Sequence, residues 1–256
     1  MTSCEEKPFD YLSEEIIKSG LSTSLLGSCV IYLRTTTSTM DEARKAALDN
    51  ASEGTLVVAE EQTVGRGRFQ RTWISPPGVN LYLSLVLRPG PDYASQLTMM
   101  ASLALTRALR RLAPQSIQVT IKWPNDVRMS GRKMGGILIE SSLAEDGLHN
   151  FSIVGMGVNV NFDAGEYSGI REIATSLQQE LGHAVPRMHL LRAIMEEMEE
   201  LYQDIKQGGS VLEEWSSLLD TLGHQVSVAW GKQIYEGYAQ GVDKDGGLVL
   251  RLHNGS

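Results

Sequence analysis

The run Thr55-Leu56-Val57-Val58-Ala59 is apolar and strand-like. It opens directly into Glu60-Glu61-Gln62-Thr63-Val64-Gly65-Arg66-Gly67-Arg68-Phe69-Gln70-Arg71-Thr72-Trp73, where glycine alternates with arginine. Such a chain leaves a sheet and enters a segment that packs poorly by itself. Gly65 and Gly67 let the backbone take positive φ and approach a ligand closely, while Arg66, Arg68 and Arg71 offer planar, permanently charged donors for phosphate or carboxylate. Taken alone the segment is equally a solvated basic loop, because short glycine motifs match by chance. Other stretches have to decide.

With 256 residues the chain can form one large or two modest domains and bury about three quarters of its unfolded surface. Hydrophobic residues make up 42% and charged residues 21%, close to the globular norm, and no segment approaches the ~20 apolar residues of a membrane helix. A soluble protein is expected, with no membrane partner. The start, Met1-Thr2-Ser3-Cys4-Glu5-Glu6-Lys7, is polar and leads into no apolar stretch, which argues against a secretory signal. Cys4 and Cys29 are too few for a disulfide scaffold or a zinc site, so a reducing cytoplasm fits. The formal charge of −8 disfavours nucleic acid as a partner. Yet Arg66, Arg68, Arg71, Lys122, Arg128, Arg132 and Lys133 fall in or near glycine-bearing and Lys-Trp-Pro stretches, a local concentration suited to one small anion such as a nucleotide.

Along the chain, residues 1–11 read as unstructured and 11–20 as a short helix with Leu12, Ile16 and Ile17 on one side and Gly20 as its stop. Residues 30–33 read as a strand, and Thr39-Met40-Asp41-Glu42 has the form of a capping box opening a helix to about residue 49. Residues 80–87 form a strand. Apolar positions 97, 101, 104, 105, 108, 109 and 112 then mark a core-facing helix over 93–112. The alternation over 117–121 predicts a strand ended by Trp123-Pro124, so Lys122, Asn125 and Asp126 emerge at a strand end. Residues 137–140 and 151–160 predict an antiparallel hairpin whose second strand carries Gly155 and Gly157. Glycine weakens a strand, so a ligand or another backbone is expected to come close there. Pro186 precedes an amphipathic helix ended by Gly208-Gly209, residues 211–222 read as one more helix, and short strands follow from Gly223 onward.

Two stretches decide the reading of the glycine-arginine segment. One is Lys122-Trp123-Pro124-Asn125-Asp126-Val127, followed by Gly131-Arg132-Lys133-Met134-Gly135-Gly136-Ile137-Leu138-Ile139-Glu140. The other is Gly155-Met156-Gly157-Val158-Asn159-Val160-Asn161. With Ser38-Thr39 upstream, these blocks resemble in order and spacing the signature of the biotin protein ligases, and the resemblance covers most of the chain. It implies an α+β fold, a mixed and largely antiparallel sheet flanked by helices of the class II synthetase type, in a catalytic domain over 1–222. A small SH3-like barrel over 223–256 would follow, cut short because Asn254-Gly255-Ser256 leads to no returning strand. It also implies a monofunctional enzyme without the helix-turn-helix repressor domain of bifunctional relatives.

The activity implied is a two-step ligation. Biotin's carboxylate attacks the α-phosphate of ATP to give biotinyl-adenylate and pyrophosphate, and a lysine of a biotin carboxyl carrier domain of a biotin-dependent carboxylase then displaces AMP. The resemblance places Ser38, Thr39, Met40, Gln62, Gly65, Arg66, Gly67, Arg68, Lys133, Gly136 and Gly155 around biotin, and Arg68, Arg71, Trp73, Lys122, Asn125, Asp126 and Asn159 around ATP or the adenylate. Arg68, Lys122 and Lys133 would carry the catalysis, and Asp126 would also meet Mg2+. Homodimers paired through sheet surfaces are a further implication. Two positions depart from the family pattern: Met40 stands where most members have asparagine, and Gln70 where a glycine is usual, which points to a stiffer or differently turned loop. A lipoate ligase would show a different arginine-glycine signature and lacks Lys-Trp-Pro-Asn-Asp. A non-catalytic biotin sensor would not need the phosphate-facing lysines, and a dinucleotide-binding oxidoreductase fails because no helix opens at Gly155 and Gly157.

Overall fold

A computed structural model describes residues 10–143, 149–231 and 233–252. After α1 (Glu14–Gly20), capped by Ser13, the chain runs β1 (Val30–Thr36), α2 (Thr39–Leu48), β2 (Leu56–Gln62) and β3 (Leu81–Leu87). Then come α3 (Leu97–Leu112), β4 (Val119–Lys122), β5 (Asp126–Met129), β6 (Arg132–Leu143) and β7 (His149–Val158). The helices α4 (Leu177–Leu181), α5 (Arg187–Lys206) and α6 (Leu212–Ser217) follow, and β8 (Gln225–Trp230), β9 (Gln233–Val242) and β10 (Leu248–Leu252) close the described chain. Strands β1 to β7 form one seven-stranded sheet in the order β1-β2-β3-β7-β6-β5-β4, parallel only between β1 and β2 and antiparallel elsewhere. This is the mixed sheet with flanking helices expected of the sequence.

The two faces of that sheet separate by residue parity, because successive strand side chains point to opposite sides. Leu81, Leu83, Leu85 and Leu87 of β3, with Val154, Met156 and Val158 of β7, join α3 and α5 in the main core, all buried. The opposite face carries Val57, Val86, Phe151 and Ile153 under Met40, Ala43 and Ala47 of α2. Helix α2 covers only part of it. Further along this face β7 presents Gly155 and Gly157 opposite Leu138 and Gly136 of β6, so the sheet surface sinks into a trough floored largely by glycine.

Several expected boundaries move. Asp10 is not loose: its carboxylate accepts from Arg187 N and Nε at 2.9 and 2.8 Å, within a buried cluster that also holds Glu60. Residues 1–9 lie outside the described residues. The cap of α2 is Ser38, whose hydroxyl accepts from Met40 N, so Thr39 is the first helical residue rather than the cap. Gly90-Pro91 opens a 3-10 stretch, Pro91–Gln96, and α3 starts only at Leu97. Beyond α6 the chain does not stay helical over 211–222. Ile121 N donates to Leu218 O and Asp220 N to Ile121 O, so this segment satisfies the outer edge of β4. Strands β8 to β10 form an antiparallel three-stranded sheet in the order β10-β9-β8, with no closed barrel among the described residues. The expected Asn254-Gly255-Ser256 turn and part of the linker between β6 and β7 lie outside them. Among the described residues no helix is long and apolar enough to cross a membrane.

Candidate functional site

The trough deepens into a cavity of about 490 Å³. Its end beneath the start of α2 is polar and internally bonded. Gln62 Oε1 accepts from Thr39 N at 2.9 Å and from Thr39 Oγ1 at 3.2 Å, while Gln62 Nε2 donates to Ser75 Oγ at 3.1 Å. Ser84 Oγ donates to Thr39 Oγ1 at 2.8 Å. The Thr39 proton is thus spent on Gln62, and the hydroxyl offers a ligand N–H its remaining lone pair. Ser38 and Met40 line the same end, with Met40 buried over the bare backbone of Gly155. A Cβ at Gly155 would lie 2.3 Å from Met40 Sδ, and one at Gly157 2.5 Å from Trp73 Cε2. These strand glycines therefore make room for two side chains of the protein itself, not for a passing backbone.

One wall is the glycine-arginine segment, which folds back as a ribbon. Trp73 N donates to Gly65 O at 2.9 Å, Gly67 N to Arg71 O at 2.7 Å, and Arg66 bridges Thr72 between them. Gly67 lines the cavity, but Gly65 does not. Gly65 sits in the stem, where a Cβ would strike Trp73 O at 2.4 Å, so its placement around biotin is not matched by direct lining and its role is closure of the ribbon. The left-handed position at the tip falls on Phe69, φ 55°, not on Gln70; Phe69 is 72% exposed. The left-handed residue at the tip is therefore an aromatic one, directly before Gln70.

The opposite wall is the hairpin of β4 and β5. Their turn, with a cis bond at Trp123–Pro124, carries Lys122 to the exposed strand end and brings Asn125 and Asp126 over the cavity. Arg68 Nη1 donates to Asn125 Oδ1 at 3.0 Å across the opening, and Asn125 Nδ2 donates to Ile137 O at 2.7 Å. Burial depresses the Arg68 guanidinium, with the Asp126 charge opposing. Lys133 Nζ lies 2.7 Å from Asp126 Oδ1 and 5.2 Å from the centre of the Trp73 ring. Trp73 Nε1 itself is buried with no hydrogen-bond partner among the described residues.

Arg71 and Gly136 complete the expected lining. Asn159 also reaches it, but its Nδ2 donates to Thr175 O at 2.9 Å and its backbone carbonyl accepts from Leu177 N, so the side chain anchors the covering segment of 170–177. Arg66 turns outward at the rim, 2.7 Å from Asp41 Oδ1. Sequence reasoning missed Ser75 and Ser84, whose hydroxyls organise the polar end, while Ile173 and Ala174, inside the 170–181 stretch that the family resemblance marks as a ligand-covering loop and helix, close it from above. Arg128, one of the cations clustered in the sequence, is a lining residue whose Nη1 pairs with Asp220 at 3.2 Å. Of the two serines, only Ser84 could have been found from the sequence, by the strand parity that places it opposite Gly155. The described residues contain no group of three or more His, Cys, Asp or Glu placed to cage a metal, so a cation here would need oxygen atoms from a ligand beside Asp126.

Residues 32–159 match the family model described as the Biotin/lipoate A/B protein ligase family. The chain is 36% identical over 249 residues to the bifunctional ligase/repressor BirA of Bacillus subtilis, spanning 95% of this chain and 76% of that protein. It is 36% identical over 225 residues to the biotin–[acetyl-CoA-carboxylase] ligase of Paracoccus denitrificans, spanning 86% and 92%. The solved biotin protein ligase from Aquifex aeolicus in complex with biotin and ATP superposes with a TM-score of 0.75 at 29% identity, over 89% of this chain and 94% of that one.

Proposed function

This chain belongs to the biotin/lipoate A/B protein ligase family, and we propose that it is an ATP-dependent biotin protein ligase whose reaction runs in the cavity between ribbon and hairpin. The observation that carries this reading is the arrangement at the two ends of one trough. A neutral hydrogen-bonding end is built by Thr39, Gln62 and Ser84, and a cationic end gathers Arg68, Lys122 and Lys133.

A bicyclic urea suits the first end, where Thr39 Oγ1 accepts an N–H. The valeric carboxylate then extends along Gly136 and Gly155 toward Lys133. Two anions must meet for the first step, and uncompensated repulsion between them is the main barrier that fixed cations can lower. Lys133 holds the carboxylate, while Lys122 neutralises phosphate. Arg68, already bonded to Asn125 over the opening, sits where acid and α-phosphate join. The carboxylate oxygen forms a bond to the α-phosphorus as the bond to the β-phosphate oxygen breaks and pyrophosphate leaves. In the second step a neutral lysine amine attacks the acyl carbon, an amide forms, AMP leaves, and the amine loses its proton. Asp126 would share Mg2+ with the phosphates once Lys133 has turned to the substrate carboxylate, because Mg2+ favours one or two carboxylates plus phosphate and water oxygens. Arg71, Trp73 and Asn159 border the nucleotide end. The protein substrate is a biotin carboxyl carrier domain. Residues 1–222 form the catalytic unit, and 223–256 an accessory one.

The test supplies ATP, Mg2+ and either biotin or lipoate and follows pyrophosphate release. Release with biotin and not with lipoate is expected; release with lipoate alone would reassign the substrate within the same family.

A further inference from the structure

Four charges at the rim of the cavity alternate in sign. Arg66 Nη2 lies 2.7 Å from Asp41 Oδ1 and 3.7 Å from Glu140 Oε1, and Arg44 Nη2 lies 2.7 Å from Glu140 Oε2. They come from three separate elements. Arg66 belongs to the ribbon, Asp41 and Arg44 to α2, and Glu140 to β6, on the same face as Gly136 and Leu138 of the trough floor. The ribbon has few other anchors on this side. Its stem is tied by Thr63 N to Thr36 O and Val64 N to Thr37 O, each at 2.9 Å, and beyond Gly67 its backbone bonds to itself, while the Arg68 side chain reaches Asn125 on the opposite wall rather than this side.

We propose that Asp41 and Glu140 are positioning residues which, through Arg66, hold the ribbon down over the bound acyl-adenylate and set how long that intermediate is retained. The proposal rests on the ligase reading above. The Arg66 guanidinium faces both carboxylates at the rim, so its charge serves the closed ribbon. Each of the four side chains is between about one quarter and under one half exposed. Such pairs are individually weak and are screened by salt, which makes the latch releasable.

The experiment preloads the full chain with radiolabelled biotin, ATP and Mg2+, then measures escape of the adenylate after a chase with unlabelled biotin. Asp41→Asn and Glu140→Gln are each expected to speed escape about 1.5- to 5-fold, with the initial pyrophosphate burst retained. Asp41→Glu should restore slow escape. In an Arg66→Met background neither carboxylate change should add anything, since a latch without its centre has nothing left to lose. Wild-type escape should quicken between about 0.05 and 1 M salt, and the Arg66→Met protein should show little of that dependence. Unchanged escape in both carboxylate variants, or full additivity with Arg66→Met, overturns the latch while leaving the ligase intact. Absence of any biotin-dependent pyrophosphate burst in the wild type would instead overturn the ligase reading.

Discussion

Lys133 Nζ and Asp126 Oδ1 stand 2.7 Å apart, so the lysine assigned to the substrate carboxylate is already paired with a carboxylate of the protein. An entering acid must share or displace Asp126, and the two residues should therefore respond to mutation with opposite signs. Lys133→Met should weaken biotin binding roughly 10- to 100-fold, the range for losing a charge-assisted hydrogen bond. Asp126→Asn should tighten it a few fold by removing the competitor, while slowing Mg2+-dependent adenylation. Calorimetric titration with biotin checks both; weaker binding by Asp126→Asn would mean that the pair survives in the complex.

Lys122 sits at the exposed end of β4, against the phosphate end of the cavity and away from the Thr39–Gln62 end. Its charge should matter to the transition state and little to the vitamin. Lys122→Met is expected to slow adenylate formation on the order of 100-fold, with the biotin dissociation constant within about 2-fold of wild type. Single-turnover pyrophosphate release beside a binding titration separates the two; an equal loss in both would contradict the assignment.

Gly155 and Met40 test how the trough is built. A methyl group at 155 meets Met40 Sδ at 2.3 Å and Cγ at 3.1 Å, and the flexible thioether, which lines the cavity, must move aside. Gly155→Ala should cost about 1–3 kcal/mol of stability by overpacking and weaken biotin binding as well. Adding Met40→Ala should recover much of the stability, because the two changes share one contact. Thermal melts of the single and double variants are the measurement.

The sheet, its flanking helices and the C-terminal strands were legible because strand alternation and helical stripes such as Leu97-Ala101-Ala104-Leu105-Ala108 report burial directly. The site was legible as a set of residue types on turns, and every expected site residue but Gly65 lines the one cavity. What stayed hidden depends on contacts far apart in sequence. Arg132 and Lys133 look like loop residues, yet they start β6, because an open trough lets a strand carry a lysine on its inner face. Gly155 and Gly157 announced a close approach, but not that Met40 and Trp73 make it. The helical pattern after Ser217 yields to the need of β4's edge for hydrogen-bond partners, which no local propensity can express.

Glu199 gives a pH test that is independent of the active site. Burial alone would raise its carboxyl, but the N–H groups of Ser24, Leu25 and Leu26 and the Ser24 hydroxyl, at 2.7 to 2.8 Å, outweigh it and hold the group below its ordinary value of 4.5. A carboxyl more acidic folded than unfolded contributes stability that is complete above the unfolded value and is lost as pH falls through the folded one. Glu199→Gln keeps one acceptor oxygen and loses the charge, so near neutral pH it should cost about 2 kcal/mol. That difference should shrink once the pH drops below about 4.5 and vanish in stronger acid. Urea titrations of both proteins at a series of pH values measure it, and a gap that stays constant into acid would show that the loop over 24–26 is held by packing instead of by the Glu199 charge.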